Sequence, residues 1–458
     1  MHVLFASAEF APLAQVGGLG IATAGLVHAL REFGVDVTVV LPDYGAGVLA
    51  GEQVADLDVP AWAAPARVRI GDSAAAGRVA LVTVPGIDRP HPYAQADGQG
   101  WADNDRRFFA FSAAVAALAT ELSIDLLHLN DWHTAAALAH LHPAPPTVFT
   151  VHTLGYQGSA DAGWLDVFPH HREAFFHGGA TNPVAGAVRT ADRVIAGSPT
   201  YAKEIVTPWG GFGLDAVLRA KGSHLIGIRN GIDTAVWDPS SDRELVATYR
   251  VDDLASKPAN RTAIRDELGL GHTRGPLIVM VTRLVDQKGI DLALATVPYL
   301  ARLPAQLAIL GAGDRHLVES LARAADTHVE VAFRVGHDDR VAHQMFAGGD
   351  LLLMPSRFEP CGLAQMQAMR YGTLPIVTDV GGLHDTVIDI DSDPRHGTGV
   401  VASRPLELDV VDALHRAVRA WSNPPRRDAM RRRGMSIDWS WRAPAAAHLA
   451  LYRELLHA

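Results

Sequence analysis

Residues 2–42 contain, in order, HVLFA (2–6), QVGGLG (15–20), IATAGLVHALREFG (21–34) and VDVTVVLP (35–42). The first and last of these are apolar throughout, as strands buried on both faces are. Between them Leu26, Leu30 and Phe33 recur at i, i+4 and i+7, the spacing of one helix face, and Gly34 is placed to stop that helix. The opening is therefore strand, glycine loop, helix, strand. Outward from it the same alternation recurs in RVALVTVP, FFAFSAAVAALATEL, IDLLHLND, PTVFTVHT, RVIAGSP and HLIGIRNGID. Apolar strands alternating with helices predict an α/β domain with a doubly wound parallel sheet covered on both faces. After Asp233 the texture breaks. Residues 234–262 carry Pro, Ser, Asp and Lys without sustained apolar period and read as a linker or surface excursion. The pattern then restarts with PLIVMVTRL, QLAILGAG, VEVAFRVG, DLLLMPS and TLPIVTD, so a second parallel α/β domain is expected, and APAAAHLALYRELLH reads as a strong final helix. Ligands of such sheets sit beyond the carboxyl ends of the strands, here in a cleft expected between the two domains.

A chain of 458 residues has room for two large cores. Apolar residues at 48% and charged residues at 20% exclude a disordered or fibrous chain. A net charge of −10 leaves no global basic field for nucleic acid or an anionic membrane. Cys361 is the lone cysteine, so no internal disulfide forms, and no Cys/His group has structural-zinc spacing; no metal is expected. The start lacks a basic n-region, meets Glu9 early, and no run of 18 apolar residues follows anywhere, so a cytosolic protein is expected.

Chemistry concentrates in PSRFEPCGLAQMQAMRYG (355–372). A loop after the strand carries Arg357 and Glu359, and then Cys361, Gly362 and Leu363 open a helix whose first amides lack intrahelical partners. Those donors suit an anion or a sugar hydroxyl, and Glu359 can accept from a polyol; the same residues also read as a capped helix beside a solvated glutamate. Gly382, in GGL (381–383), lies in a second glycine-opened turn. In VTRLVDQKGID (281–291), Arg283 and Lys288 can clamp a diphosphate, the arginine through its planar fork and the lysine as a point charge, or can simply be solvated. Both cations are expected to be removable without loss of fold. In the first half, QVGGLG matches neither a dinucleotide fingerprint nor a P-loop. Asp131, Trp132 and His133 follow one strand and His152 the next; each histidine reads as ligand-facing or as structural. No hydrolase triad is present.

Taken together, FASAEFAPLAQVGGLG, HLNDWHTA, VHTLGYQG, RNGIDTAVWDP, TRLVDQKGIDL, PSRFEPCGL, MRYGTLPIV and IDWSW resemble the bacterial glycogen and plant starch synthases, in order and over nearly the whole chain. The resemblance implies the GT-B architecture, two Rossmann-like domains facing across a cleft: 1–235 for the acceptor, 236–441 for the nucleotide donor, and 442–458 as a helix crossing back to the first. It implies retaining transfer of glucose from a nucleotide sugar to an α-1,4-glucan end, with no metal and no cofactor beyond that co-substrate. Arg283 and Lys288 match the pair that neutralises the leaving diphosphate, and Glu359 the residue that grips donor hydroxyls. Cys361, Gly362, Leu363 and Gly382 match the donor cradle, as do Gly17 and Gly18 in the first half. His152 matches the residue whose carbonyl faces the reacting sugar; Asp131, His133 and Tyr93 match the acceptor side.

Departures from the family cluster near the donor. Gln15 stands where a lysine is common, Ile21 where an aspartate is, His337 where a tyrosine often stacks on the nucleotide base, Thr153 for an asparagine and Ala364 for a threonine. Losing two charges favours a changed substrate pair: a nucleotide-activated glucose-like ring or cyclitol moved to a short glucan or aminosugar, as in assembly of an acarbose-type pseudo-oligosaccharide. The alternatives are an ordinary glycogen synthase using ADP- or UDP-glucose, and an inactive sugar-nucleotide-binding protein. The sequence leaves the oligomeric state open.

Overall fold

The computed structural model describes residues 1–45, 47–95 and 98–457. The chain divides into two compact units, one running from Met1 to Gly231 and resuming at Trp441, the other Ile232–Ser440.

The first unit is built on strands β1 (His2–Ala6), β2 (Asp36–Pro42), β3 (Ala50–Asp56), β4 (Arg67–Ser73), β5 (Gly77–Thr83), β6 (Leu126–Asn130), β7 (Thr147–Val151), β10 (Arg193–Ala196) and β11 (Leu225–Gly227), with β8 (Phe176–His177) and β9 (Ala180–Thr181) forming a separate ribbon. The order across the sheet is β11-β10-β7-β6-β1-β2-β5-β4-β3. From β11 to β5 every pairing is parallel, whereas β4 runs antiparallel to β5 and β3 to β4. The parallel part is the doubly wound sheet that the apolar runs predicted. The antiparallel extension was not expected, because AGEQVAD of β3 is exposed along its whole length and has no apolar period to reveal it.

Period two explains why the central strands are apolar throughout. Leu4 and Ala6 of β1 enter one core, with Phe108 and Phe109 of helix α2 (Asn104–Glu121), while Val3 and Phe5 enter the other, with Leu26, Val27 and Leu30 of helix α1 (Gly18–Glu32). The α1 face ends one residue earlier than its spacing predicts: Phe33 is the C-cap and is exposed, and Gly34 turns the chain with φ of 78°. The terminal helix (Arg442–His457) belongs to this unit, placing Ala445, Leu449 and Tyr452 in the α1 core.

In the second unit β12 (Leu277–Leu284), β13 (Gln306–Gly313), β14 (Val331–Val335), β15 (Leu351–Met354), β16 (Leu374–Thr378) and β17 (Val400–Ala402) lie in the order β14-β13-β12-β15-β16-β17, all parallel. Alternate residues again serve opposite cores: Ile278 and Met280 one, Leu277 and Val279 the other. The stretch 234–262 lies mostly on the surface, as its composition suggests, but is anchored by buried residues that composition does not reveal. Asp242 and Tyr249 are buried, and helix α3 (Lys257–Glu267) starts inside it. Lys257 is buried too, its ammonium donating to the carbonyls of Ala347 (2.7 Å) and Tyr371 (2.9 Å) and to Thr373 Oγ1 (3.0 Å). Polar residues that are paired inside cannot be told from solvated ones by composition.

Candidate active site

In the second unit the sites expected from sequence fall at the carboxyl ends of β12, β14, β15 and β16. Arg283 is the penultimate residue of β12; its guanidinium is exposed and makes no hydrogen bond or ion pair with the described residues. The chain then turns through residues 286–288 to Gly289, whose φ is 63° and whose Cβ, if present, would lie 2.1 Å from the Pro355 carbonyl oxygen. Only glycine lets this turn press so closely on the loop after β15. The two loops are laced together. The Arg357 amide donates to the Gln287 carbonyl (2.8 Å), Gln287 Nε2 to the Phe358 carbonyl (3.1 Å), and Arg357 forks onto both oxygens of Asp291 (2.9 and 2.7 Å). Those bonds hold the Asp291 carboxyl below the usual carboxylate range. Arg357 therefore braces the scaffold.

The lacing brings Lys288 to Glu359, Nζ to Oε2 at 2.5 Å, with both side chains largely withdrawn from water. Ser356 Oγ donates to the same carboxylate oxygen (3.1 Å), and the Gly382 amide donates to the Glu359 carbonyl (2.9 Å). A Cβ on Gly382 would fall 2.0 Å from the Cys361 carbonyl oxygen, so the glycine turn after β16 seats directly on the loop after β15. Cys361 is buried, Gly362 has φ of 75°, and Leu363 is the N-cap of helix α4 (Ala364–Arg370). The Gln365 side chain donates to the carbonyls of Cys361 and Gly362 (3.1 Å each), while the amides of Gly362 and Leu363 have no partner among the described residues. Lys288, Glu359, Cys361, Gly362, Leu363 and Gly382 thus form one knot. His337 stands apart on the exposed loop after the edge strand β14, facing Asp339 (3.0 Å).

In the first unit the expected residues follow the neighbouring strands β1, β6 and β7, except Tyr93, which lies in the segment after β5. Glu9, which sequence reasoning passed over although it lies in FASAEFAPLAQVGGLG, organises the glycine loop. Its buried carboxylate accepts from the Val16 and Gly17 amides (2.7 and 3.0 Å) through Oε2 and from the Tyr93 hydroxyl (2.6 Å) through Oε1. Two loop amides are therefore already occupied, while Gln15 and Gly18 are exposed and the space beside Gly17 and Gly18 is open. Ile21 lies in the first turn of α1. Asp131 has φ of 55° and accepts the His152 amide on Oδ1 (2.7 Å). Burial pushes its carboxyl up to about 7 against the opposing pull of the His152 and Thr153 amides.

His152 Nε2 bonds Asn130 Oδ1 (2.9 Å), and Asn130 Nδ2 donates to the Ala6 carbonyl (3.0 Å); that amide orientation makes Oδ1 the acceptor and leaves the proton on Nε2. Burial, then neighbouring His448, brings His152 down to about 4, so it is neutral near pH 7; its carbonyl oxygen accepts from no described residue. His133 is caged by Tyr93, Phe108 and Trp132, with ring centroids 4.3–5.0 Å away, and burial beside Arg107 brings it down to about 3. Its role in this geometry is to back Tyr93. Among the described residues no group of three or more His, Cys, Asp or Glu is arranged to hold a metal ion, and no helix is long and apolar enough to cross a membrane.

The family described as the starch synthase catalytic domain matches residues 2–220, and that of the group 1 glycosyl transferases matches residues 260–435. The chain is 40% identical to a glycogen synthase of Halorhodospira halophila, with 100% of this chain and 99% of that protein covered. It is 41% identical to one of Alkalilimnicola ehrlichii over 99% and 98%. Among solved structures, the catalytic domain of starch synthase IV from Arabidopsis thaliana, bound to ADP and acarbose, superposes with a TM-score of 0.88 at 32% identity, covering 100% of this chain and 99% of that one. A sucrose-phosphate synthase from Thermosynechococcus elongatus, at 19% identity and TM-score 0.65, shares the fold.

Proposed function

Because the chain belongs to the glycogen and starch synthase family of GT-B glycosyltransferases, we propose that it transfers glucose from a nucleoside-diphosphate glucose to the free 4-hydroxyl end of an α-1,4-glucan, with retention, in the cytosol and with no metal or further cofactor. The observation that carries this is the cation arrangement of the second unit: a withdrawn Lys288–Glu359 pair following an Arg283 that no described residue engages. An ammonium has three donors, and Glu359 takes one. The others, with the Arg283 fork, suit the two phosphates of a leaving nucleoside diphosphate; the related starch synthase IV is bound to ADP.

In this mechanism the bond from sugar C1 to the phosphate oxygen breaks as the acceptor oxygen attacks on the same face. The departing phosphate oxygen takes the hydroxyl proton. Glu359 and the Gly362 and Leu363 amides, all in the second unit, hold the ring and phosphate. Cation charge lowers the barrier most when it is fixed before reaction, and the laced loops fix Lys288.

Supplying maltotriose with ADP-, UDP-, GDP- or dTDP-glucose tests this: chain lengthening with at least one donor is expected, and no lengthening with any would refute it. The pseudo-oligosaccharide alternative rests on the uncharged Gln15 and Ile21, and nothing in the comparisons favours it. Under that alternative the Gln15→Lys/Ile21→Asp variant gains activity with ADP- or UDP-glucose; under the glucan reading the native chain already uses one of them.

A further inference from the structure

Five aromatic side chains of the described residues are exposed, and four of them, Tyr156, Phe176, Trp209 and Phe212, lie on three loops of the first unit that are tied together. Gln157 Nε2 donates to the Phe212 carbonyl (2.9 Å), Asn182 Nδ2 to Gln157 Oε1 (2.7 Å) and to Ser159 Oγ (3.2 Å), and His177 Nε2 bonds the Gly213 carbonyl (2.9 Å). Residues 153–160, 176–182 and 206–213 contain no Asp, Glu, Lys or Arg. Trp209 is 97% exposed, Tyr156 55%, Phe176 50% and Phe212 41%. A side chain of that size left in water forgoes about 2–3 kcal/mol of burial, and a cluster of them marks a surface built to be covered.

We infer that these loops form an aromatic platform on which the α-glucan chain lies outside the reacting position, with Trp209 as its main contact; this rests on the glucan reading of the active site. The platform loops are aromatic and carry no charged side chain of their own, and the Arg189 guanidinium beside them is taken up by the Phe176 carbonyl (3.3 Å) and His177 Nδ1 (3.4 Å), which matches a neutral polyol whose sugar faces are apolar. Its first loop begins directly after His152, whose amide donates to the acceptor-side residue Asp131 (2.7 Å). The four rings expose on the order of 500 Å², short of the ~800 Å² that each partner of a stable dimer buries. That favours a ribbon-like polymer over a second copy of the chain.

The test compares the full chain with Trp209→Ala and Phe176→Ala in co-sedimentation with glycogen at low and high salt, in KM for glycogen and for maltotriose, and in elution volume. Trp209→Ala should weaken glycogen binding and raise KM for glycogen about tenfold, the effect of losing one stacked ring with its buried area. The constants for maltotriose and donor should stay unchanged, and wild-type binding should persist in high salt. Unchanged glycogen affinity in both variants, loss of wild-type binding in high salt, or a variant that elutes at smaller mass would each overturn the platform. Trp209-dependent glycogen binding without any glucose transfer would uphold the platform and sink the proposed reaction. Transfer with Trp209-independent binding would do the reverse.

Discussion

Lys288 donates to a carboxylate that is itself withdrawn from water, so the two proposed phosphate cations are not equivalent. Removing exposed Arg283 should leave the fold untouched, as expected from the sequence, whereas removing paired Lys288 should not. Lys288→Ala leaves Glu359 buried beside only a serine, and an orphaned charge of this kind costs about 3 kcal/mol. Urea unfolding should show that loss in the single variant and recovery of most of it in Lys288→Ala/Glu359→Gln, where the orphan is neutral; equal stability of wild type and single variant would contradict the pairing. Activity should stay low in both. The positions of Arg283, Lys288 and Glu359 at strand ends were legible because they sit in long motifs directly after apolar runs. Their pairing was not, since it depends on Gly289 letting two loops meet. Glu9 was missed for a related reason: a carboxylate that accepts two amides and a phenol looks like any other acid until the fold closes around it.

At the scale of elements, the terminal helix and α1 meet where Gly25 faces Trp441; a Cβ on Gly25 would lie 2.0 Å from the indole Nε1. Gly25→Ala should lower stability by about 1–3 kcal/mol through overpacking, while Gly18→Ala, with open space beside it, should change it by less than about 0.5 kcal/mol. Thermal melts of both check this, and equal melting temperatures would contradict the docking. The helix pattern itself was plain in the sequence, but a glycine inside it gave no hint of a tryptophan from the far end of the chain. The same helix brings His448 and Tyr452 to the sheet, Tyr452 bonding His128 Nδ1 (2.6 Å). Burial holds His128 well below its ordinary value, His448 and His152 at about 4 and His133 at about 3. Unfolded, each would protonate near 6.5, so between that pH and about 4 the unfolded state binds more protons and stability falls as pH falls. Each such proton contributes a slope of up to about 1.4 kcal/mol per pH unit. His140, also brought down to about 4 by burial, adds a fifth such group, and Asp131, raised to about 7, works in the opposite sense between pH 4 and 7 as one group against five. The melting temperature of the first-unit transition should drop steeply from pH 6.5 to 4.5; a flat profile would contradict burial of neutral histidines.

For the molecule as a whole, two α/β units with parallel sheets were readable from apolar strands alternating with helices, and the family from motifs that run the length of the chain. The antiparallel ribbon β3–β4 and the burial of Asp242 and Lys257 were not, because edge strands and internally paired polar residues carry the composition of loops. What joins fold to function is the placement of positive charge at the carboxyl edge of the second sheet, and Arg283 isolates that charge because its side chain holds nothing together in the protein itself. The decisive quantity is kcat for glucosyl transfer by Arg283→Ala with the preferred nucleotide donor, alongside its unfolding midpoint. The expected result is an unchanged midpoint with turnover at least ~100-fold lower, the loss of about 3 kcal/mol of leaving-group stabilisation; turnover close to that of the native chain would contradict the diphosphate clamp.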